Sequence, residues 1–228
     1  MKKCVLIIVV GIISLVPTYL FLYKPNLSFL LAYKLNLIEH PVYISNHYQN
    51  SLFYHKTQDP FVKSGSNVFI GDSIVQGLLT SSVSDSSVNY GIGGDTTYGV
   101  LNRIDLYKSL SSAKNVVIHV GINDLKKYSI DESIKNYENI LVKIGHKRVF
   151  VVSILPVSSK FIEDNNDFSS EKISQFNEKI KNLAENYSVG YFDMHSYYAD
   201  QDGYLKNQYD SGDGIHLNTV GYTGRIQT

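Results

Sequence analysis

The sequence has little cysteine, no tryptophan and no net charge, and two of these shortages exclude a class of protein. Its single cysteine, Cys4, cannot form a disulfide framework within one chain or supply a zinc site that needs several cysteines. Lysine plus arginine and aspartate plus glutamate both total 21, so no basic excess indicates nucleic acid as a partner. With 43% hydrophobic residues among 228, the chain is typical of a globular protein that buries a substantial core.

The histidines do not follow a metal-binding pattern. No HExxH or H-x-x-x-H zinc motif occurs in the sequence. His119 lies within an apolar run, and we interpret it as a core residue rather than a ligand. Histidines without a partner at metal-ligand spacing are His40, His47, His55, His119, His146 and His195.

An uncharged, apolar stretch from Cys4 to Tyr23 follows two lysines at the start of the sequence. A membrane-spanning helix needs about 20 mostly apolar residues, and this stretch reaches that length. Because it is longer than a signal-peptide core and no small-x-small cleavage site follows, we predict a membrane anchor at residues 1–24. A cleaved signal segment, which would make the protein secreted, is the alternative. The lysines favour an N-terminus inside the cytoplasm, which would place the remaining chain outside it.

Residues 25–66 are predicted to be a connecting region, and residues 67–228 a single domain in which short apolar runs alternate with amphipathic stretches. Continuous runs of Val and Ile suit a parallel sheet that is covered on both faces. The alternation predicts an α/β fold, a three-layer α/β/α sandwich with a central five-stranded parallel sheet. The predicted strands are Val68–Ile70, Ser87–Tyr90, Asn115–Val120, Arg148–Leu155 and Val189–Met194.

Helices are predicted between these strands from apolar residues at helical spacing. One is centred on Val100, Ile104 and Tyr107, and a second runs through 134–144 with Gly145 as its stop. A third covers 173–187, with Ser169 or Ser170 as its N-cap. Ligand sites in such folds lie beyond the carboxyl ends of the strands, so we expect the catalytic or binding residues in the loops at those ends.

A serine follows the first predicted strand in the segment Gly71-Asp72-Ser73-Ile74. A serine at such a strand-to-helix turn has a free backbone N–H and can expose its hydroxyl. Taken alone, the segment is better explained by an N-cap serine, because serines in turns after strands are common. The G-x-S-x-G nucleophile elbow of the α/β-hydrolases is absent.

Loops after the second and third strands carry glycines and an asparagine. The segment Asn89–Thr97 is rich in glycine, which lets the backbone approach a ligand closely. A dinucleotide-binding G-x-G-x-x-G pattern fails at Thr96, and no Gly-Lys-Ser/Thr follows to form a P-loop. In the segment 121–124, Asn123 can aim its amide into a cleft, although a simple turn is the alternative.

The fourth segment, Asp213-Gly214-Ile215-His216, places a carboxylate three residues before an imidazole. Serine is a poor nucleophile at neutral pH and needs a base within hydrogen-bond reach. Histidine has a suitable pKa, and a carboxylate on its second nitrogen fixes the tautomer and stabilises the imidazolium. A surface turn with a capping histidine explains the same segment, so the pair gains weight only in combination with the serine.

In order and spacing, the four segments resemble the SGNH hydrolases, also called GDSL-like lipases or acylhydrolases. The resemblance covers roughly residues 40–224 and includes Tyr98–Ile104, Leu155–Val157 and Leu205–Asp210. It implies the flavodoxin-like SGNH hydrolase fold. The family usually continues into a full final helix, whereas only Thr219–Thr228 remain here, so we expect a shortened helix that holds the histidine less firmly.

The resemblance also implies roles for individual residues. Ser73 would attack an ester carbonyl, His216 would accept and return the proton, and Asp213 would orient His216. The oxyanion would be held by the backbone N–H groups of Ser73 and Gly94 and by the Asn123 side chain. No metal or cofactor is required. Expected to support these groups without reacting are Asp72, Gly93 and Asp124.

The leading functional hypothesis is a serine esterase that acts outside the cytoplasm, with O-acetyl groups on a glycan, a short acyl ester or a lysophospholipid ester as its substrate. An O-acyltransferase with the same triad is an alternative, because cleft shape and water access choose the acyl acceptor. A catalytically inactive module that binds a glycan or a protein is a third. The intact serine, asparagine, aspartate and histidine argue against this last alternative, and the short last helix argues weakly for it.

Overall fold

The computed structural model describes residues 45–145 and 148–226, together with Tyr19, Leu22, Tyr23 and Tyr43. The chain divides into two compact units, residues 1–49 and 50–228. Most of the predicted anchor at 1–24 lies outside the described residues, so the anchor stays a prediction. Within the part of the chain that the structure describes, no helix is both long enough and apolar enough to cross a membrane.

A five-stranded parallel sheet forms the centre of the second unit, and it confirms the predicted α/β fold with a parallel sheet. The strand order is β2-β1-β3-β4-β5, with every neighbouring pair parallel. Gly71, the last residue of the first strand, pairs with Gly91 on one side and with His119 on the other. The carboxyl ends of these three strands therefore meet at one edge. The strands are β1 (Asn67–Gly71), β2 (Ser87–Gly91), β3 (Asn115–His119), β4 (Val149–Val152) and β5 (Gly190–Phe192).

The helices begin and end with local signals that the sequence carries. Ser129 and Glu132 form a capping box at the start of the helix Ile130–Ile144, and Ser169 caps the helix Ser170–Asn186. Gly145, with φ +79°, directly follows Ile144 and ends the first of these helices. The helices are α1 (Asn46–Gln58), α2 (Ser73–Gln76), α3 (Thr97–Arg103), α4 (Ile130–Ile144), α5 (Ser159–Asp164), α6 (Ser170–Asn186), α7 (Met194–Tyr198) and α8 (Thr219–Ile226).

The main core lies where the strands meet α4 and α6. Val68 and Ile70 of β1 are fully buried in it, as are Ile140 of α4 and Phe176 and Ile180 of α6. Burying a Val, Ile or Phe side chain contributes about 1.5–3 kcal/mol, so these contacts hold the sheet and the helices together. The rigid frame fixes the directions in which the strands end, and hence where the following loops emerge.

Residues 50–66, which the sequence analysis assigned to the connecting region, belong to the same compact unit as the sheet. Their strongest link is Asp59, a buried carboxylate that accepts hydrogen bonds from the Tyr90 hydroxyl at 2.7 Å and the Lys108 backbone N–H at 2.8 Å. A buried carboxylate is stable only with such partners. This segment thus ties β2 to the turn before β3.

The fourth strand is shorter than predicted. It ends at Val152, its last pairing with β5, instead of at Leu155. Beyond that point the Asn177 side chain supplies hydrogen-bond partners for the backbone. Its carbonyl accepts from the Ile154 N–H at 2.8 Å, and its amide nitrogen donates to the Ile154 carbonyl at 3.0 Å. The apolar run continues past Val152 because the chain stays buried, so apolar character alone could not locate the end of the strand.

Candidate active site

Ser73 stands at the turn between β1 and α2, where it is the first residue of the helix. The preceding Asp72 caps this helix, since its carboxylate accepts the Ile74 N–H at 3.0 Å. A glycine must end the strand, because a Cβ on Gly71 would lie 2.0 Å from the carbonyl oxygen of His119. The close approach of β3 therefore sets the position from which the serine hydroxyl projects at the carboxyl edge.

His216 reaches this hydroxyl from a loop that follows α7. Its Nε2 lies 2.8 Å from the Ser73 Oγ, and its Nδ1 lies 2.6 Å from the Asp213 Oδ2. The structure thus brings together the three residues that the sequence analysis named. A hydroxyl, an imidazole and a carboxylate in this order can pass a proton from the hydroxyl to the ring while the carboxylate holds the opposite nitrogen.

The Asp213 carboxylate is kept ionised by its neighbours. Burial pushes its pKa upward, but the backbone N–H and the imidazole of His216 outweigh burial, with a further contribution from the Ile215 N–H. The pKa of Asp213 consequently lies well below its ordinary value. A carboxylate that stays charged can stabilise an imidazolium on the adjacent ring.

The loop that carries these two residues is shaped by Asp210. One oxygen of its carboxylate accepts the N–H groups of Gly212 at 2.8 Å and Gly214 at 2.9 Å. The Gly214 carbonyl accepts the Ser158 N–H at 2.8 Å, which anchors the loop to the start of α5. Gly214 has φ +80°, and a Cβ there would meet the Ser158 Oγ at 2.3 Å. Glycine is therefore required at 214 by both conformation and space.

Gly94 and Asn123 lie in the loops that follow β2 and β3. Gly94 adopts φ +77° in a tight turn closed by the Asp95 N–H, which donates to the Ile92 carbonyl at 3.1 Å. The Asn123 amide nitrogen donates to the Asp95 carbonyl at 3.0 Å. An amide nitrogen carries two hydrogens, so one donor of Asn123 remains for another acceptor.

Asp124 and Gly93, which the sequence predicts to be supporting residues, make contacts to neighbouring elements. Asp124 is fully buried and accepts from the Thr97 N–H and the Thr97 hydroxyl at the start of α3. Burial raises the pKa of Asp124 to about 6, against the opposing effect of the Thr97 hydrogen bonds. Gly93 donates its N–H to the Gln76 side chain at 2.8 Å. Both contacts fasten the loops that flank Ser73.

Sequence reasoning did not single out a buried ion pair beneath these loops. The Arg103 Nε lies 2.7 Å from the Asp95 Oδ2, and the two side chains expose 2% and 0% of their surface. Lys127 is a second neighbouring cation, with its Nζ donating to the Gly94 carbonyl at 3.3 Å. Burial lowers the pKa of Lys127, although Asp124 and Asp95 act in the opposite direction. In the sequence, these charges look like ordinary surface residues of helices and loops.

His119 is buried at the end of β3, as expected for a core residue. Within residues 45–145 and 148–226, no group of three or more His, Cys, Asp or Glu side chains is arranged to hold a metal ion.

Residues 69–223 match the sequence model of the GDSL-like lipase/acylhydrolase family. The platelet-activating factor acetylhydrolase IB subunit alpha1 of Rattus norvegicus is 29% identical over 184 residues, which cover 76% of this chain and 77% of the rat protein.

Two solved structures illustrate the similarity of fold. A candidate platelet activating factor protein from Streptococcus pneumoniae has a TM-score of 0.73 at 26% identity, with 79% of this chain and 90% of that chain covered. Axe2, an acetylxylan esterase from Geobacillus stearothermophilus, has a TM-score of 0.58 at 19% identity, covering 72% and 93%. The second likeness concerns the fold alone.

Proposed function

The chain belongs to the GDSL-like lipase/acylhydrolase family and is an ester-bond hydrolase, and from this premise we propose that it releases short acyl groups with a Ser73-His216-Asp213 triad. The family resemblance in the sequence is thereby confirmed, while the triad and the substrate are our proposal. The observation that carries it is the unbroken contact chain from the Ser73 Oγ through the His216 ring to Asp213, at 2.8 Å and 2.6 Å.

In the proposed mechanism, the Ser73 Oγ attacks the ester carbonyl carbon as its proton passes to the His216 Nε2. The tetrahedral intermediate collapses when His216 returns this proton to the oxygen of the leaving alcohol, and an acyl-serine remains. Water then attacks the acyl carbon, again with His216 as base, and the free acid departs as Ser73 recovers its proton. Asp213 does not take the proton; it holds the imidazolium by charge and by its hydrogen bond.

The negative oxygen of the intermediate would be held by the backbone N–H groups of Ser73 and Gly94 and by the Asn123 amide. As the first residue of a helix, Ser73 has an N–H without an intrahelical acceptor. The Asn123 amide keeps one hydrogen after its bond to Asp95. A donor of this kind contributes about 3–4 kcal/mol of transition-state stabilisation.

A small apolar cavity is lined by chain neighbours of the proposed site residues. Its volume is about 10 Å³, close to the smallest space that holds one water molecule. Because three of its residues directly adjoin Ser73, Asn123 and His216 in the chain, we propose that it receives the acyl end of the ester, which would limit that group to a short one. It is lined by Ile74, His119, Ile122, Leu155, Val157 and Ile215.

A larger apolar groove, about 310 Å³, is lined mainly by residues of β1, β3, β4 and β5, such as Phe69, Val117 and Phe150, and its lining does not include the triad. This groove therefore does not support a long acyl chain attached at Ser73. The name of one relative is consistent with an acetyl group, since the rat protein is an acetylhydrolase. We accordingly propose acetyl esters, such as O-acetyl groups of glycans, ahead of lysophospholipids.

The test uses the full chain in detergent micelles with p-nitrophenyl acetate, butyrate and octanoate, together with labelling by a fluorophosphonate. We expect labelling, hydrolysis of acetate well above octanoate, and loss of both in Ser73→Ala. Ser111→Ala, which removes an exposed hydroxyl on another element, is the matched control and should keep both. Labelling that survives in Ser73→Ala would contradict the proposed nucleophile.

Widening the cavity tests the acyl preference independently of the triad. Leu155→Ala should raise the ratio of butyrate to acetate hydrolysis, because it enlarges the space for the acyl chain. An unchanged ratio would show that the acyl group binds elsewhere. Labelling with little turnover, restored by a sugar acceptor, would instead favour the alternative O-acyltransferase.

We also propose that residues 1–24 anchor the protein in a membrane, with the hydrolase domain outside the cytoplasm. This proposal rests on the sequence, namely the uncharged stretch from Cys4 to Tyr23 behind two lysines. Expressed at full length, the chain should sediment with membranes after a carbonate wash and be digested by protease added to intact cells. Recovery in the wash, or release into the medium after cleavage, would contradict it.

A further inference from the structure

The buried ion pair of Arg103 and Asp95 lies directly beneath the proposed oxyanion hole. Removing two charges from water is costly, and a buried pair often contributes no more stability than apolar residues of the same volume. The pair exposes 2% and 0% of its side chains. The role of the pair is therefore argued from the groups that it contacts and not from the stability that it contributes.

The guanidinium of Arg103 connects two parts of the site. Its Nη2 donates to the carbonyl of Gly71 at 3.1 Å, at the end of the strand that leads to Ser73. Its Nε donates to the Asp95 carboxylate at 2.7 Å, in the residue that follows Gly94. The planar fork of arginine holds separate N–H groups in a fixed geometry toward the two acceptors.

Asp95 extends this connection to the third proposed oxyanion donor. Its backbone carbonyl accepts the amide of Asn123 at 3.0 Å, and its carboxylate accepts the Thr96 N–H at 2.8 Å. The strand before Ser73, the turn at Gly94 and the amide of Asn123 are thus all held through one ion pair.

We infer that Arg103 and Asp95 are positioning residues, which set the spacing of the three oxyanion donors without touching the substrate. This inference rests on the proposed triad and oxyanion hole. Donors improve catalysis only when they are fixed in advance where charge develops, and a displacement of about 1 Å can reduce the rate by about 100-fold. Displacing the pair should therefore slow the chemical step more than it weakens substrate binding.

The main variant is Arg103→Lys, which keeps the positive charge but replaces the fork by a single ammonium group. Steady-state kinetics with p-nitrophenyl acetate, corrected by fluorophosphonate titration of active sites, should show kcat lower by about 10-fold or more, with KM within about twofold. A variant that lost only folded protein would show fewer active sites with unchanged kcat. Should Arg103→Lys not fold, Asp95→Asn carries the same expectation.

Two controls separate positioning from general packing. Tyr107→Phe removes the hydroxyl that accepts the third guanidinium hydrogen bond, at 2.6 Å, but leaves the contacts to Gly71 and Asp95 intact. Its kcat should stay within twofold of wild type. Leu183→Ala opens a cavity in the main core, and it should lower the melting temperature without changing kcat per active site.

A double-variant cycle gives the sharpest test. If Arg103 acts through the oxyanion hole, then Arg103→Lys should reduce kcat much less in an Asn123→Ala background than in the wild type. Additive losses, an effect on KM alone, or an equal loss in Tyr107→Phe would overturn the inference. These outcomes presuppose that the wild-type chain is labelled and turns over; failure of the wild type would instead reject the proposed triad.

Discussion

The two sides of the proposed site are built in opposite ways. On the oxyanion side, Gly94 and Asn123 rest on an ion pair whose side chains are almost completely buried. On the acid–base side, Asp213 and His216 expose 51% and 39% of their side chains. One side is therefore part of the core of the domain, whereas the other is a surface loop.

This difference predicts how each side responds to substitution. The acid–base loop is held mostly by hydrogen bonds among residues 210–216, so changes there should alter activity more than stability. The oxyanion side shares its hydrogen bonds with the sheet and with α3, so changes there should alter both. Four substitutions test this contrast.

Asp213→Asn should have the largest effect, a fall in kcat of about 10⁴-fold, because an amide holds the wrong tautomer of the His216 ring and cannot stabilise the imidazolium. Stability should change little, since the amide oxygen can still accept the backbone N–H groups of residues 215 and 216. Kinetics and thermal unfolding measure the two quantities. Asp200→Asn, which alters a comparable exposed turn, should affect neither strongly.

Asn123→Ala should lower kcat by about 10²–10³-fold, the cost of losing one oxyanion donor, with a smaller effect on KM. Unlike the previous variant, it should also reduce the free energy of unfolding by about 1 kcal/mol, because the bond to the Asp95 carbonyl is lost. Asn136→Ala, which loses a similar hydrogen bond to Thr97, should reduce stability but keep kcat. An equal fall in kcat in both variants would contradict the proposal that Asn123 is an oxyanion donor.

Gly214→Ala should lower kcat by about 10-fold or more. The new Cβ would lie 2.3 Å from the Ser158 Oγ, so the loop must shift and carry His216 away from Ser73. Gly212→Ala is a matched control, because Gly212 also has a positive φ, +105°, but its Cβ would meet nothing within 4 Å. Both variants incur a conformational cost of about 1–2 kcal/mol, and only the first should lose activity in the folded enzyme.

His55→Gln should have the smallest effect at neutral pH, because its effect is confined to the pH dependence of stability. Burial, with a smaller contribution from Arg103, lowers the pKa of His55 from 6.5 to about 3. Below pH 6.5 His55 binds a proton in the unfolded chain but stays neutral in the folded chain. The free energy of unfolding therefore falls as the pH falls from 6.5 towards 3. Between pH 7.5 and 5, wild type should therefore lose about 2 kcal/mol more than the variant.

Urea unfolding at the two pH values measures this difference. The ring of His55 lies 3.3 Å from the Tyr107 hydroxyl, which accepts from Arg103. Parallel pH dependence in wild type and variant would show that His55 is protonated in the folded protein.

The sequence predicts the parts of this molecule that depend on local patterns. Apolar runs located the five strands, and Ser169 and Gly145 marked helix ends, because caps act within one turn. The order of the four loop segments carries the family resemblance, and that resemblance named Ser73 and His216 for the proposed triad. Neither the local patterns nor the order of the segments requires knowledge of which distant residues touch.

Other features depend on distant contacts and could not be predicted. No local pattern shows that the strand ends at Val152. The backbone N–H and carbonyl of Ile154 bond the side chain of Asn177 in α6, which is distant in the sequence. Arg103 looks like an exposed residue at the end of α3, and only the fold places its guanidinium against Gly71. The need for glycine at 214 likewise arises from Ser158, which approaches from another element.

The hydroxyl of Ser73 and the imidazole of His216 are separated by 143 positions along the chain. The serine and both loops of the proposed oxyanion side therefore precede the acid–base loop in the chain. A product truncated anywhere before Asp213 would retain the proposed nucleophile but lack the imidazole and the carboxylate proposed to activate it, so it should show no ester hydrolysis.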